Sequence, residues 1–206
     1  MKTNQELKNS ALQALSGHWK PSVLATLLFF VIVGAANICE TQFDQGAEGL
    51  GSLFSLAYCI FVVGPLTIGY CNACRRLLNE HQYGVIENMF SIAFNRYMHN
   101  VALYALMTLK IFLWTLLLIV PGIIKSLSYS MAPFIAIEHP EYSVSEAINA
   151  SIAMMKGHKM RLFLLELSFI GWMILGLLTL GIGYLWLMPY MYTTVAAFYN
   201  DIRPQE

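Results

Sequence analysis

Residues 100–137 read NVALYALMTLKIFLWTLLLIVPGIIKSLSYSMAPFIAI, and this apolar run decides how often the chain crosses a membrane. As a single helix it would be about 57 Å long at ~1.5 Å per residue, nearly twice the hydrocarbon thickness of about 30 Å. The dipeptide Pro121-Gly122 within it is a strong turn signal. We therefore predict two spans, 100–120 and 123–137, joined by a tight external turn at these two residues.

The distribution of basic residues predicts the orientation of the spans. Four more apolar runs approach the length of a transmembrane helix, about 17 to 25 residues: 21–38, 51–71, 162–180 and 182–199. Ten of the 12 Lys and Arg residues lie at one set of alternating gaps between the six runs. Of the other two, Lys125 lies near the start of run 123–137, towards the other set of gaps, and only Lys110 lies deep inside a run. Loops rich in Lys and Arg stay in the cytoplasm. The sequence thus predicts six transmembrane helices with both termini cytoplasmic and loop 39–50 external.

The composition is typical of an all-α integral membrane protein with a single domain, residues 1–206. Hydrophobic residues make up 57% and charged residues 12%, and the mean hydropathy is +0.58, whereas soluble domains carry about 25% charged residues. The formal net charge is zero, so no basic stripe exists to neutralise nucleic-acid phosphates, and nucleic acid is excluded as a partner.

Three segments outside the spans have the 3.6-residue apolar period of amphipathic helices: 3–19, 85–97 and 143–157. Each precedes a pair of spans, which predicts three units of interfacial helix, span, turn and span. In the third segment, Ile148, Ile152 and Met155 are expected to face the acyl boundary of the membrane.

The first and third units match at an offset of 140 residues. Both begin with an S/T-x-x-E capping box, and Gly17-His18 corresponds to Gly157-His158. Each unit also has a proline in its second span: Pro65, Pro133 and Pro189. Internal repeats are therefore predicted, with chance and generic capping as the alternative explanation. Units that share one orientation imply a pseudo-symmetry axis along the membrane normal.

Lys110 is the charged residue deepest in a predicted span, about 15 Å from either end of its run at ~1.5 Å per residue. Ionisable residues at such depth are functional candidates, and Glu166 in the fifth span is the expected partner. The pair would line an ion or proton pathway, or it would be structural, either as an ion pair or with Lys110 reaching a polar cavity between helices. The structural interpretation is favoured, because a pathway normally shows more than one such pair.

No catalytic, metal or cofactor site is predicted. The C-x-x-C motif at Cys71 and Cys74 lacks the two further ligands of a zinc site, and cysteine is a common apolar filler of helices. Basic residues near the inner boundary are candidate contacts for lipid headgroups, with ordinary topology signalling as the alternative: Arg75, Arg76, Lys156, His158, Lys159 and Arg161.

Four motifs follow one another in the second half: PGIIK from residue 121, MMKGHK from 154, SFIGW from 168, and PYMYTTVAAFY from 189. Their succession resembles an uncharacterised bacterial integral-membrane family, domain of unknown function nine-seven-five, over residues 5–202. The resemblance implies a six-span protein of the bacterial inner membrane and no particular activity. Its motif residues include turn and packing positions: Pro121, Gly122, Gly171, Trp172, Pro189 and Tyr190.

The function expected from these features is non-enzymatic binding of lipid or a partner at the cytoplasmic membrane. The alternative is a small transporter or channel that uses an inter-helix cleft near Lys110 and Glu166. Membrane lipids are the expected partners, followed by another membrane protein or a second copy of the chain. No cofactor is expected.

Overall fold

The computed structural model describes the backbone of residues 1–44, 50–80 and 84–203, and the side chains of 1–35, 51–79 and 84–203. Over these ranges the chain is helical and contains no strand. Its elements, in order, are α1 Asn4–Leu15, α2 Trp19–Asp44, α3 Leu50–Tyr58, a π-helical segment Cys59–Val63, α4 Gly64–Glu80, α5 Val85–Asn95, α6 Tyr97–Leu117, α7 Ile119–Tyr129, α8 Ala132–Glu138, α9 Val144–Met154, α10 Lys159–Leu167, α11 Ile170–Leu178 and α12 Tyr184–Ile202.

Within the described residues, four helices are long and apolar enough to cross a membrane: Gly51–Asn79, Tyr97–Leu117, Ile119–Glu138 and Lys159–Leu178. A fifth is reached if α1 and residues 19–35, which are bent by 97° relative to each other, count as one span. The chain is therefore compatible with a multi-pass membrane protein, but the predicted number of six spans is not confirmed. The other two predicted spans, 21–38 and 182–199, overlap α2 and α12.

The predicted external loop 39–50 is partly helical, since α2 continues to Asp44. Residues 45–49 of that loop lie outside the described residues.

Both predicted capping boxes form. The Thr3 hydroxyl accepts a hydrogen bond from the Glu6 amide, and the Glu6 carboxylate accepts one from the Thr3 amide at 2.6 Å. Ser143 and Glu146 form the same pair of bonds at the start of α9. The bonds from Ser143 lower the pKa of the Glu146 carboxyl below its ordinary value. Each box satisfies amide donors that have no partner inside the helix, so both helices begin where the sequence predicts.

The turns after α1 and α9 also match at the offset of 140. Gly17 has a φ of +81° and Gly157 a φ of +82°, a left-handed conformation that glycine adopts without strain. The preceding turn closes with a hydrogen bond from the His18 amide to the Leu15 carbonyl, and from the His158 amide to the Met155 carbonyl. The next helices begin at Trp19 and Lys159, again 140 residues apart.

The turn between the third and fourth predicted spans lies three residues earlier than predicted. It is at Leu118, between α6 and α7, whereas Pro121 and Gly122 are part of α7. Proline is tolerated in the first turn of a helix, where its missing N–H has no partner anyway. Gly122 instead serves close packing, because a Cβ there would overlap with the Thr115 side chain.

Two of the described turns are apolar: the turn between α6 and α7 and the turn between α11 and α12. Residues Leu116 to Val120 are all apolar and 65–74% exposed. The turn between α11 and α12 exposes Leu180 at 94% and contains Gly181 with a φ of +88°.

Helices α5 and α9 pack on helices that precede them in the chain, whereas α1 packs on the last described helix. Helix α5 packs on α4 and α2, α9 packs on α6, α7 and α8, and α1 packs mainly on α12. Buried positions again correspond at an offset of 140, with Leu7 matching Ala147 and Leu15 matching Met155, all fully buried.

The expectation that Ile148 and Met155 face the acyl boundary is wrong. Both are fully buried in the protein core, and the half-buried Ile152 packs against the same core. The apolar stripe of α9 packs against α6, α7 and α8. These helices, rather than lipid, therefore cover it.

Helices α4, α8 and α12 meet in the centre. The Asn72 side-chain amide on α4 donates to the Pro133 carbonyl on α8 at 2.9 Å. The Phe134 ring of α8 stacks on Tyr199 of α12, with ring centroids 5.0 Å apart. Tyr70 of α4 meets Tyr192 of α12 edge-on at 5.1 Å. These contacts fix the relative positions of the three helix ends that carry the candidate site.

Candidate functional site

Glu138, the last residue of α8, is the hub of a polar cluster to which all three central helices contribute. Its Oε1 accepts hydrogen bonds from Arg75 Nη1 of α4 at 2.6 Å and from Arg203 Nη1, just after α12, at 2.8 Å. Its Oε2 accepts a hydrogen bond from the Tyr199 hydroxyl of α12. A further hydrogen bond orients the Arg75 guanidinium group, since its Nε donates to Asn72 Oδ1 at 3.3 Å. We call these four residues, Glu138, Arg75, Arg203 and Tyr199, the Glu138 cluster.

The Glu138 cluster contains one more positive charge than negative charge. One carboxylate faces two guanidinium groups, whose side chains differ in exposure: 9% for Arg75 and 42% for Arg203. A buried ion pair is stabilised when further hydrogen bonds reach its two partners. Here Arg75 Nε donates to Asn72, and Glu138 Oε2 accepts from the Tyr199 hydroxyl. Arg203 therefore carries the positive charge that is nearest to solvent.

A cavity of about 1030 Å³ opens beside the Glu138 cluster. It lies between the end of α8, the exposed face of α9 and the end of α12. Its polar lining residues are Glu138, His139, Tyr142, Tyr199, Asn200 and Arg203. Its apolar lining residues are Ile135, Ala150, Ala153, Met154 and Ile202. The cavity can thus accommodate a molecule with one anionic and one apolar end.

A second polar cluster joins the N-terminus to α10 and α12. Asp201 forms an ion pair with Arg161 at 2.6 Å and accepts a hydrogen bond from the Lys2 amide at 2.9 Å. Arg161 also donates to the Lys2 carbonyl. Burial raises the pKa of the Asp201 carboxyl, but the bonds from Lys2 and Arg161 outweigh burial, so the pKa lies below its ordinary value.

The predicted headgroup contacts divide into two groups. Arg75 and Arg161 are in the internal ion pairs just described, and Arg76 donates to Asn88 Oδ1 at 2.9 Å. Lys156 is exposed, whereas His158 and Lys159 are half-buried, and none of the three forms an ion pair with a described residue. These three stay candidates for contact with lipid headgroups.

Lys110 and Glu166 are not brought together as an ion pair. Lys110 is half-buried on α6 and Glu166 is exposed on α10, and the ion pairs among the described residues involve other groups. Helix α10 packs on α7, while α6 packs on α4, α7 and α9. A role of either residue in transport stays a prediction.

The remaining motif residues differ in their burial. Gly171 and Trp172 lie exposed on α11, whereas Pro189 is buried inside α12. Tyr190 meets the Phe169 ring edge-on at 5.2 Å. Cys71 and Cys74 are free and buried in the core, and within the described part of the chain no three His, Cys, Asp or Glu side chains come together as metal ligands.

Sequence reasoning missed Glu138, Asp201 and Arg203 as site residues, and it noted Tyr199 only as the last residue of the motif that starts at Pro189. The available signal was the charge at the C-terminal ends of three of the predicted spans: Arg75 follows one, Glu138 another, and Asp201 with Arg203 the third. Opposite charges at corresponding ends of neighbouring helices predict mutual ion pairs, but only once the spans are known to pack together.

One family model matches the whole chain, over residues 1–126 and 115–206, and is described as "Protein of unknown function (DUF975)". No curated protein and no solved structure matches the chain. The matched residues include all four members of the Glu138 cluster, as well as the segments that carry the PGIIK and SFIGW motifs. The chain belongs to this family of proteins of unknown function.

Proposed function

We propose that the protein is a non-enzymatic integral membrane protein of the bacterial cytoplasmic membrane that binds lipid or a membrane partner at its cytoplasmic side. The observation that carries this proposal is the cavity of about 1030 Å³ beside the Glu138 cluster, with its polar and apolar walls. This concave site combines an apolar wall with convergent polar groups, and small molecules usually bind at sites that combine the two.

The proposed orientation places both termini and the cavity in the cytoplasm. The clustering of Arg75, Arg161 and Arg203 at one end of the helices supports it, because basic residues accumulate on the cytoplasmic side. The apolar turn at Leu116–Val120 supports placing the other end towards the outer leaflet.

The proposed architecture has six spans in three units, with α2 and α12 as the two additional spans. The shared capping boxes, glycine turns and helix starts of the first and third units support an internal repeat. Helices α5 and α9 pack on the units before them, and α1 packs on α12 of the last unit. This packing supports a closed arrangement of the three units.

Cysteine labelling tests the orientation. In a variant without native cysteines, Glu141→Cys is expected to react with a membrane-impermeant maleimide in inside-out vesicles, because Glu141 is exposed beside the cavity. Reaction from outside intact spheroplasts would overturn the proposed topology.

Native mass spectrometry after extraction in a mild neutral detergent tests the binding function. We expect the protein to retain a lipid or a second polypeptide, and we expect Lys110→Met to leave that retention unchanged. The opposite result is a protein that retains nothing and, in liposomes, conducts protons in a pH-dye assay that Lys110→Met abolishes. That result would replace the binding function with transport.

A further inference from the structure

We infer that the cavity beside the Glu138 cluster binds an acidic glycerophospholipid, with its phosphate on Arg203 and its acyl chain along the apolar wall. This inference rests on the proposed function and names the ligand class. It differs from headgroup contact by the exposed residues Lys156, His158 and Lys159, because it assigns the lipid a defined cavity.

Charge is the first argument. Glu138 neutralises only one of the two guanidinium groups that contact it, and Arg75 is the one that is enclosed by protein. Arg203 uses Nη1 for Glu138, while a guanidinium group carries five N–H donors in a planar fork. This fork matches the oxygens of a phosphate in a bidentate arrangement. An anion bound there would complete the charge balance of the Glu138 cluster.

The walls of the cavity are the second argument. Ala150 and Ala153 present small side chains from α9, and Met154 and Ile202 add flexible and branched apolar groups. A volume of about 1030 Å³ is at the upper end of the range for small-molecule sites, about 300–1,000 Å³. Such a space is far larger than an inorganic anion needs, and the apolar wall offers that anion no hydrogen-bond donors. An amphiphile uses both walls.

The position in the fold is the third argument. The cavity lies at the end of α12 and beside the segment that links α8 to α9, at the level where the basic ends of the helices gather. On the proposed topology this is the cytoplasmic headgroup region, where acidic lipids are attracted by basic residues with about 1 kcal/mol for each.

The experiment measures binding of three probes to purified protein in a neutral detergent: phosphatidylglycerol, phosphatidylcholine and inorganic phosphate. Native mass spectrometry counts bound lipid, and the shift in thermal unfolding temperature (Tm) reports saturation. We expect phosphatidylglycerol to bind and raise the Tm, with much weaker effects of the other two. If phosphatidylcholine has an equal effect, the site does not select an acidic headgroup. If inorganic phosphate has an equal effect, the acyl chain does not contribute to binding.

Two variants locate the site. Arg203→Gln is expected to weaken phosphatidylglycerol binding about tenfold or more, because it removes a charge-assisted bidentate contact. Its matched control is Lys20→Gln, which removes one positive charge from an exposed position outside the cavity. Ala153→Trp fills the apolar wall and is also expected to weaken binding. Its control is Ala102→Trp at an exposed position of α6.

The outcomes separate this inference from the proposed function. If Arg203→Gln and Lys20→Gln weaken binding equally, the lipid responds to surface charge and the cavity is not its site. If Ala153→Trp has no effect, the acyl chain does not lie in the cavity. If the extracted protein retains a neutral lipid or a polypeptide and phosphatidylglycerol does not bind, this inference fails while the proposed function stands.

Discussion

The ammonium group of Lys8 lies 4.3 Å from the ring centroid of Phe169, and it donates a hydrogen bond to the Ser168 carbonyl at 3.2 Å. These contacts join α1 to the break between α10 and α11. The break leaves carbonyls at the end of α10 without helical partners, and a cation at a helix C-terminus is favourable. Lys8 thus attaches α1 to a segment 160 positions further along the chain.

Lys8→Met is therefore expected to destabilise the protein by about 1 kcal/mol, through loss of the cation–π contact and the hydrogen bond. Thermal or denaturant unfolding in detergent measures this loss. Lys20→Met is the control, since Lys20 is an exposed lysine at the start of α2. Equal effects of the two substitutions would mean that Lys8 contributes only its charge.

Glu138→Gln is expected to be more destabilising than Arg203→Gln. The first change leaves two neighbouring guanidinium groups without their common carboxylate, which we expect to cost about 2–3 kcal/mol given that Glu138 retains some exposure. The second change leaves the enclosed pair of Arg75 and Glu138 intact. Unfolding free energies of the two variants decide the order, and the reverse order would mean that Arg203 is the main partner of Glu138.

Asp201→Asn tests the second polar cluster through its pH dependence. Because the folded-state pKa of Asp201 is depressed, its ionised form contributes stability above the unfolded pKa of about 3.9, and that stability is lost as pH falls through the folded pKa. We expect the parent protein to unfold at a higher Tm than Asp201→Asn near neutral pH, with the difference shrinking below about pH 4. A difference that is constant with pH would contradict an electrostatic role.

Lys110→Met and Glu166→Gln are expected to have additive effects on stability. The structure contains no ion pair between these residues, and sites without shared contacts add to within about 0.5 kcal/mol. Unfolding of both single variants and the double variant measures the coupling. A double variant closer to the parent than the sum predicts would restore the intramembrane pair expected from the sequence.

The elements that depend on local sequence were predictable. The capping boxes at Thr3 and Ser143 follow from side chains three residues apart, and both form. The apolar runs likewise predicted the four helices that are long enough to cross a membrane.

The features that depend on packing between distant segments were not predictable. Ile148 lies on a genuine apolar stripe, but the pattern alone does not distinguish lipid from a neighbouring helix as the covering surface. Glu138 meets Arg75 across 63 positions of the chain, and this proximity requires α4 and α8 to pack together first. The turn at Leu118 was missed because the Pro-Gly signal also fits the first turn of a helix.

If the protein spans a membrane as proposed, the turn at Leu116–Val120 has a consequence for the surrounding bilayer. Its five side chains are all apolar and 65–74% exposed, so contact with water is unfavourable by about 25 cal/mol for each Å² of apolar surface. A thick hydrocarbon layer would cover this turn. A thin layer would either leave the turn exposed to water or have to thicken locally around it. Acyl-chain length therefore becomes a determinant of where the protein resides laterally, and regions with long chains are the ones that accommodate it best.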